Sequence, residues 1–90
     1  MLKMRKLILF ISKNCKPCKD AIKDLLDITI EAQIPVGIVD VNTIDKNEIE
    51  KYNVNEILVP TLCLVDDDKV KECIVGYSTD YKDRIKWLIK

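Results

Sequence analysis

Apolar positions along the chain fall into two different periods. Lys6 to Ser12 (KLILFIS) is a short bulky run closed by polar residues, the pattern of a strand covered on both faces. From about Cys15 to Gln33 the period lengthens. Cys18, Ala21, Ile22, Leu25, Leu26 and Thr29 recur at helical spacing, with Lys19, Asp20, Lys23, Asp24 and Asp27 between them. Pro17 falls in the first turn, where its missing N–H costs nothing. Ile34-Pro35 ends that helix. Val36 to Val41 (VGIVDV) then reads as a second buried strand, parallel to the first after a right-handed crossover. Asn42-Thr43 open a short helix from about Asp45 to Tyr52, with Ile44, Ile49 and Tyr52 on its apolar side.

From Thr61 the alternation of strand and helix stops. TLCLVD and KVKECIV are two strand-like runs about an acidic turn, and they predict an antiparallel hairpin. Thr79 to Lys90 places Tyr81, Ile85, Leu88 and Ile89 on one helical stripe, with Asp80 near the start and lysines near the end, as the helix dipole favours. Trp87 is read as packing on this last helix, and Asp66 to Asp68 as a turn. The predicted order is β-α-β-α-β-β-α, an α/β fold with a four-stranded mixed sheet flanked by helices. At 90 residues it forms one domain, 1–90, with one core.

Charge removes several function classes. Fifteen basic and fifteen acidic side chains cancel, and no like-charged run is longer than Asp66-Asp67-Asp68, so the clustered basic face of a nucleic-acid binder is missing. The longest apolar stretch, Leu7 to Ile11, is too short to span a bilayer. It follows a basic start, Met1 to Lys6, but runs into a polar, cysteine-bearing motif, which favours a first strand over a secretion signal. A cytoplasmic monomer is the expectation, with no membrane or nucleic-acid partner. Four cysteines in such a chain argue for a redox or metal role over a disulfide scaffold. Histidine is absent, so any chemistry must rest on thiols, carboxylates, lysines or backbone.

Cys15-Lys16-Pro17-Cys18 is the most informative feature. Two thiols at this spacing, where a strand passes into a helix, can close a small disulfide without unfolding anything. The first cysteine at a helix N-terminus has its thiolate stabilised by unpaired N–H groups and the dipole, and becomes the attacking species. Cys18, one turn in, is shielded and able to break a mixed disulfide. Lys16 adds positive potential beside the pair, and Lys13 and Lys19 are otherwise solvated charges. The same motif also serves zinc sites, so a metal or iron–sulfur module completed by outside ligands stands as an alternative. A third reading is an adaptor that binds a partner without turnover.

The motif follows a buried strand, opens an amphipathic helix, and is complemented by Val59-Pro60-Thr61 ahead of the third strand. In these features the chain resembles the thioredoxin/glutaredoxin superfamily, from about Leu7 to the end. The resemblance continues in Val39-Asp40-Val41-Asn42, Lys51-Tyr52-Asn53-Val54 and Gly76. It implies that Pro60 is a cis proline beside the cysteine pair and that Val59 offers its backbone to an extended substrate, by strand addition. It implies a thiol–disulfide oxidoreductase that reduces protein or small-molecule disulfides, with Cys15 as nucleophile and Cys18 as resolving thiol. The redox centre would be the cysteine pair itself, with no further cofactor and no metal. The reductant would be a thioredoxin-reductase-like protein or glutathione.

Two departures qualify the likeness. Asn14 stands where thioredoxins carry tryptophan, and Leu7 to Ile11 contain no acid where thioredoxins bury one. The short N-terminal side is nearer glutaredoxin, and Gly76-Tyr77-Ser78-Thr79-Asp80 is loosely similar to the segment with which glutaredoxins hold glutathione. Thr61, Gly76 and Tyr77 therefore join Val59 and Pro60 as substrate-binding candidates. Tyr77 and Leu58 are read either as an exposed apolar rim or as core. For Cys63 and Cys73, a turn centred on Asp67-Asp68 sets Cys63 against Glu72 and Cys73 against Leu62, which predicts two buried thiols on opposite sheet faces. A one-residue change in loop length would bring them face to face.

Overall fold

A computed structural model describes residues 4–45, 47, 50 and 59–90. Six elements are described in it: β1 (Arg5–Ile11), α1 (Lys16–Ala32), β2 (Val36–Asp40), β3 (Thr61–Asp66), β4 (Lys69–Val75) and α2 (Tyr81–Leu88). The predicted helix over 45–52 lies largely outside the described residues, although Asn47 and Glu50 are helical and the Asp45 carboxylate accepts the Asn47 N–H at 3.2 Å. The Lys51-Tyr52-Asn53-Val54 segment and Leu58 also lie outside them.

The strands form one mixed sheet in the order β2-β1-β3-β4. β1 runs parallel to β2 and antiparallel to β3, so the predicted crossover and hairpin are both present. Alternation along the central strands splits the core in two. Leu7, Leu9, Leu62 and Leu64 point to the face that carries α1 and α2, where Ala21, Leu25, Ile28, Tyr81, Ile85 and Leu88 meet them. Ile8, Phe10, Cys63 and Val65 point to the other face, with Val41 and, half-buried, Val39, Ile44, Val59, Val70 and Cys73.

Polar ties fix the two helices to the sheet and to each other. Gln33 adopts a left-handed conformation at φ 55° and its N–H closes the end of α1 on the Thr29 carbonyl. The Arg5 guanidinium donates to the Ile89 carbonyl at 2.7 Å, supplying a cation and a donor where α2 ends. Lys82 and Asp27 form an exposed ion pair across the two helices at 3.0 Å, and that contact raises the Lys82 pKa. Tyr77 lies between the helices. Its ring packs on Tyr81 with centroids 5.0 Å apart, and its hydroxyl donates to Asp24 at 2.9 Å.

Three expectations need correction. Among the described residues β2 is an edge strand flanked only by β1, with Ile38 exposed, so it is not buried as β1 is. Leu26 sits on the flank of α1, and Ile28 takes a buried position in its place. Trp87 is 75% exposed and does not pack in the core, since Tyr81, Ile85 and Leu88 define the inward stripe of α2 and Trp87 falls beside it.

The hairpin holds the largest difference. Asp67 and Asp68 occupy the two turn positions as expected, with φ 50° and 66°. A bulge then intervenes: Leu64 pairs with Glu72 while Val65 pairs with Val70, leaving Lys71 as an extra residue on β4. The one-residue shift puts Cys63 directly opposite Cys73, and the two form a disulfide with Cα atoms 4.1 Å apart. The expectation of two separate thiols on opposite faces is overturned by that single bulged residue.

Candidate functional site

The site begins where β1 runs out. Ser12 accepts the Cys15 N–H at 3.3 Å, turning the chain through Lys13 and Asn14 into α1. Cys15 is the N-cap, in extended conformation, and Lys16 and Pro17 start the helix. No side chain caps this end and no acid occupies the first turn; Lys16 and Lys19 flank the pair, both exposed. Cys15 and Cys18 are joined in a disulfide with Cα atoms 5.3 Å apart. Cys15 is half-buried while Cys18 is only 3% exposed, on the buried side of α1. Cys15 is therefore the more accessible residue of the pair and Cys18 the shielded one.

The second wall comes from the start of β3. The register of β1 with β3 ends with Phe10 against Thr61, so Val59 and Pro60 precede β3 at the end of the sheet where β1 leads into the cysteine turn. The Val59–Pro60 bond is cis. Pro60 and Thr61 are buried, and Val59 is half-buried against the Ile8, Phe10 and Cys63 cluster. Gly76, at φ 83°, donates its N–H to the Pro60 carbonyl at 2.8 Å, which ties the exit of β4 to the same corner.

Of the residues singled out from the sequence, Cys15, Cys18, Lys16, Pro17, Val59, Pro60, Thr61 and Gly76 thus gather at one end of the sheet. Tyr77 does not join them: its hydroxyl is committed to Asp24, six residues beyond Cys18 and about 9 Å further along the helix axis. That hydrogen bond, with partial burial and the charge of Asp24 adding to it, raises the Tyr77 pKa. Ser78 donates to Asp80, which also meets Arg84, and the Ser78 bond holds the Asp80 carboxyl below its usual range. The Gly76 to Asp80 loop therefore spends its Ser78 and Asp80 side chains at the start of α2. Among the described residues no group of three or more His, Cys, Asp or Glu side chains is placed to hold a metal ion. Among the same residues no helix is long and apolar enough to cross a membrane.

The second cysteine pair and the bulge that makes it are what sequence reasoning missed. Even spacing along two strands carries no mark of a bulge at Lys71.

No protein-family model matches the sequence, and no curated protein matches it either. Solved structures do resemble it. Thioredoxin O2 from Arabidopsis thaliana, in its oxidised state, superposes with a TM-score of 0.77 at 26% identity, covering 97% of this chain and 76% of the other. A thioredoxin from Halobacterium salinarum gives a TM-score of 0.77 at 25% identity over the same shares, 97% and 76%. Thioredoxin 1 from Thermosipho africanus gives 0.73 at 19% identity, covering 93% of each chain. With this fold, and with its own cysteine pair at the turn from first strand to first helix, the chain is thioredoxin-like.

Proposed function

We propose that the protein is a cytoplasmic thiol–disulfide oxidoreductase in which Cys15 is the nucleophile and Cys18 the resolving thiol. The observation that carries this reading is the unequal burial of the two joined cysteines at an uncapped, lysine-flanked helix start. In the reduced protein the Cys15 thiolate, favoured by the helix dipole, attacks one sulfur of a substrate disulfide. The other substrate sulfur leaves as a thiolate and takes up a proton. The Cys18 thiolate then attacks Cys15, releasing the second substrate thiol and closing the Cys15–Cys18 bridge. Two electrons and two protons pass to the substrate.

Extended substrate backbone pairs alongside Val59 while cis Pro60, buried and tied to Gly76, holds that segment against the cysteine turn. A thioredoxin-reductase-like protein or glutathione recycles the pair. Tyr77 belongs to the scaffold in this scheme, since Asp24 holds it.

The test is reduction of a protein disulfide by serine variants. Cys15→Ser is expected to lose at least about 100-fold of the turnover, because a hydroxyl cannot replace the thiolate nucleophile. Cys18→Ser is expected to accumulate a mixed disulfide between Cys15 and the substrate. Full turnover by Cys15→Ser would overturn the assignment.

A further inference from the structure

The molecule holds two disulfides, each joining a half-buried cysteine to a buried one, at a helix start in one case and between two strands in the other. Cys15–Cys18 spans three positions at a helix start, with Cys15 reachable from solvent. Cys63–Cys73 spans ten positions and bridges two strands. Cys63 is 0% exposed, on the sheet face shared by Ile8, Phe10, Val41 and Val65, and Cys73 is half-buried at its margin.

We propose that Cys63–Cys73 is a permanently closed clamp, insulated by the fold from the thiol exchange that opens and closes Cys15–Cys18. Exchange proceeds by in-line attack of a thiolate on one sulfur while the other departs as a thiolate. At Cys15–Cys18, attack on the half-buried Cys15 sends Cys18 off as a thiolate in the first turn of α1, where the positive end of the helix dipole stabilises it. At Cys63–Cys73 the less buried partner is Cys73, so Cys63 departs as a thiolate from mid-strand into an apolar cluster that cannot solvate it. For a dithiol reductant the balance is the same at either bridge: two sulfhydryls of the reductant close into its own disulfide, and two electrons and two protons leave two protein thiols. The barrier differs, not the stoichiometry.

The clamp is placed where it bears on the site. It joins the two strands whose outer ends are Pro60 and Gly76, linked by their own hydrogen bond, and Val59 packs on the cluster that contains Cys63. It therefore holds together the hairpin that presents the cis proline, whatever the state of the working pair. The contrast with turnover rests on the function proposed above, while the insulation of the bridge stands on the apolar cluster around Cys63.

The experiment is timed reduction of the oxidised, folded protein with dithiothreitol, followed by alkylation and mass mapping of all four cysteines. Cys15 and Cys18 are expected to label first, with Cys63 and Cys73 slower by about 10-fold or more, the difference vanishing in denaturant. Equal labelling of the two pairs in the folded protein, or free Cys63 and Cys73 before any reductant, overturns the clamp. Failure of Cys15–Cys18 to open would count against the proposed function and leaves the rate at the other pair to be read by itself. The double variant Cys63→Ala, Cys73→Ala is expected to exchange its β3–β4 amides faster than the wild type. Unchanged exchange there would also overturn the clamp.

Discussion

α1 and α2 begin with opposite charge. α2 follows the charge rules for a stable start, although its N-cap residue makes no side-chain cap hydrogen bond: Asp80 stands at the N-cap position, held by Ser78 and Arg84, and Asp83 adds a negative charge to the first turn. α1 breaks them. Like Asp80, Cys15 makes no side-chain cap hydrogen bond, but here the first turn has no acid, and Lys16 and Lys19 bring positive charge to the end of the dipole that is already positive. α1 is nevertheless the longer helix, anchored through Cys18, Ala21, Leu25 and Ile28, so its packing can tolerate a poor start. A helix start left without its usual carboxylate is available to stabilise another anion, and here the residue at that point is a cysteine. Local disagreement with helix rules marks the site, whereas local agreement marks scaffold.

That contrast can be broken at either helix. Lys16→Glu gives α1 the acidic first turn it lacks, and is expected to lower the Cys15 thiolate fraction at neutral pH by about two- to fivefold, read from ultraviolet thiolate absorbance. Its effect on stability has the opposite sign, a gain of about 0.3–1 kcal/mol in denaturant unfolding. A variant that reacts as fast as wild type and titrates no differently would show that the helix start does not tune the thiol. Asp83→Lys makes α2 resemble α1, and is expected to cost about 0.3–1 kcal/mol in the same unfolding measurement with no change in disulfide reduction.

The smallest effect at neutral pH is expected from Tyr81→Phe at the first position of α2. The Tyr81 hydroxyl is buried without a hydrogen-bond partner among the described residues. Burial, with the charge of Asp24 adding to it, pushes its pKa up from 10.0 to about 12. The unfolded chain releases this proton near the ordinary value while the folded chain retains it. The folded state is therefore undisturbed below pH 10 and loses stability progressively between pH 10 and about 12. Tyr81→Phe should leave stability at neutral pH unchanged within about 1 kcal/mol, since the lost hydroxyl has no bond to give up. It should also flatten the alkaline decline, as measured by unfolding across that pH range. An equally steep decline in the variant would assign the titration to another group, Tyr77 among them.

What the sequence by itself determined was local. A run of bulky residues from Leu7 to Phe10 needs cover on both faces, the spacing of Cys18, Ala21 and Leu25 needs a helix, and the two cysteines are close enough in sequence for the helix start alone to bring them together. The cis bond before Pro60 came from resemblance to a superfamily, since nothing in an X-Pro pair by itself favours cis. The tertiary structure decided whatever depends on neighbours distant in sequence. Strand order left β2 at an edge with Ile38 exposed, and the rotation of α2 turned Trp87 outward. Asp24 took Tyr77 away from the cysteines, through a hydrogen bond across 53 positions. The bulge at Lys71 reversed the facing of every β4 residue beyond it, because side chains alternate with a period of two and one extra residue exchanges the faces. That exchange, invisible in the spacing of Cys63 and Cys73, turned two separate thiols into a second bridge.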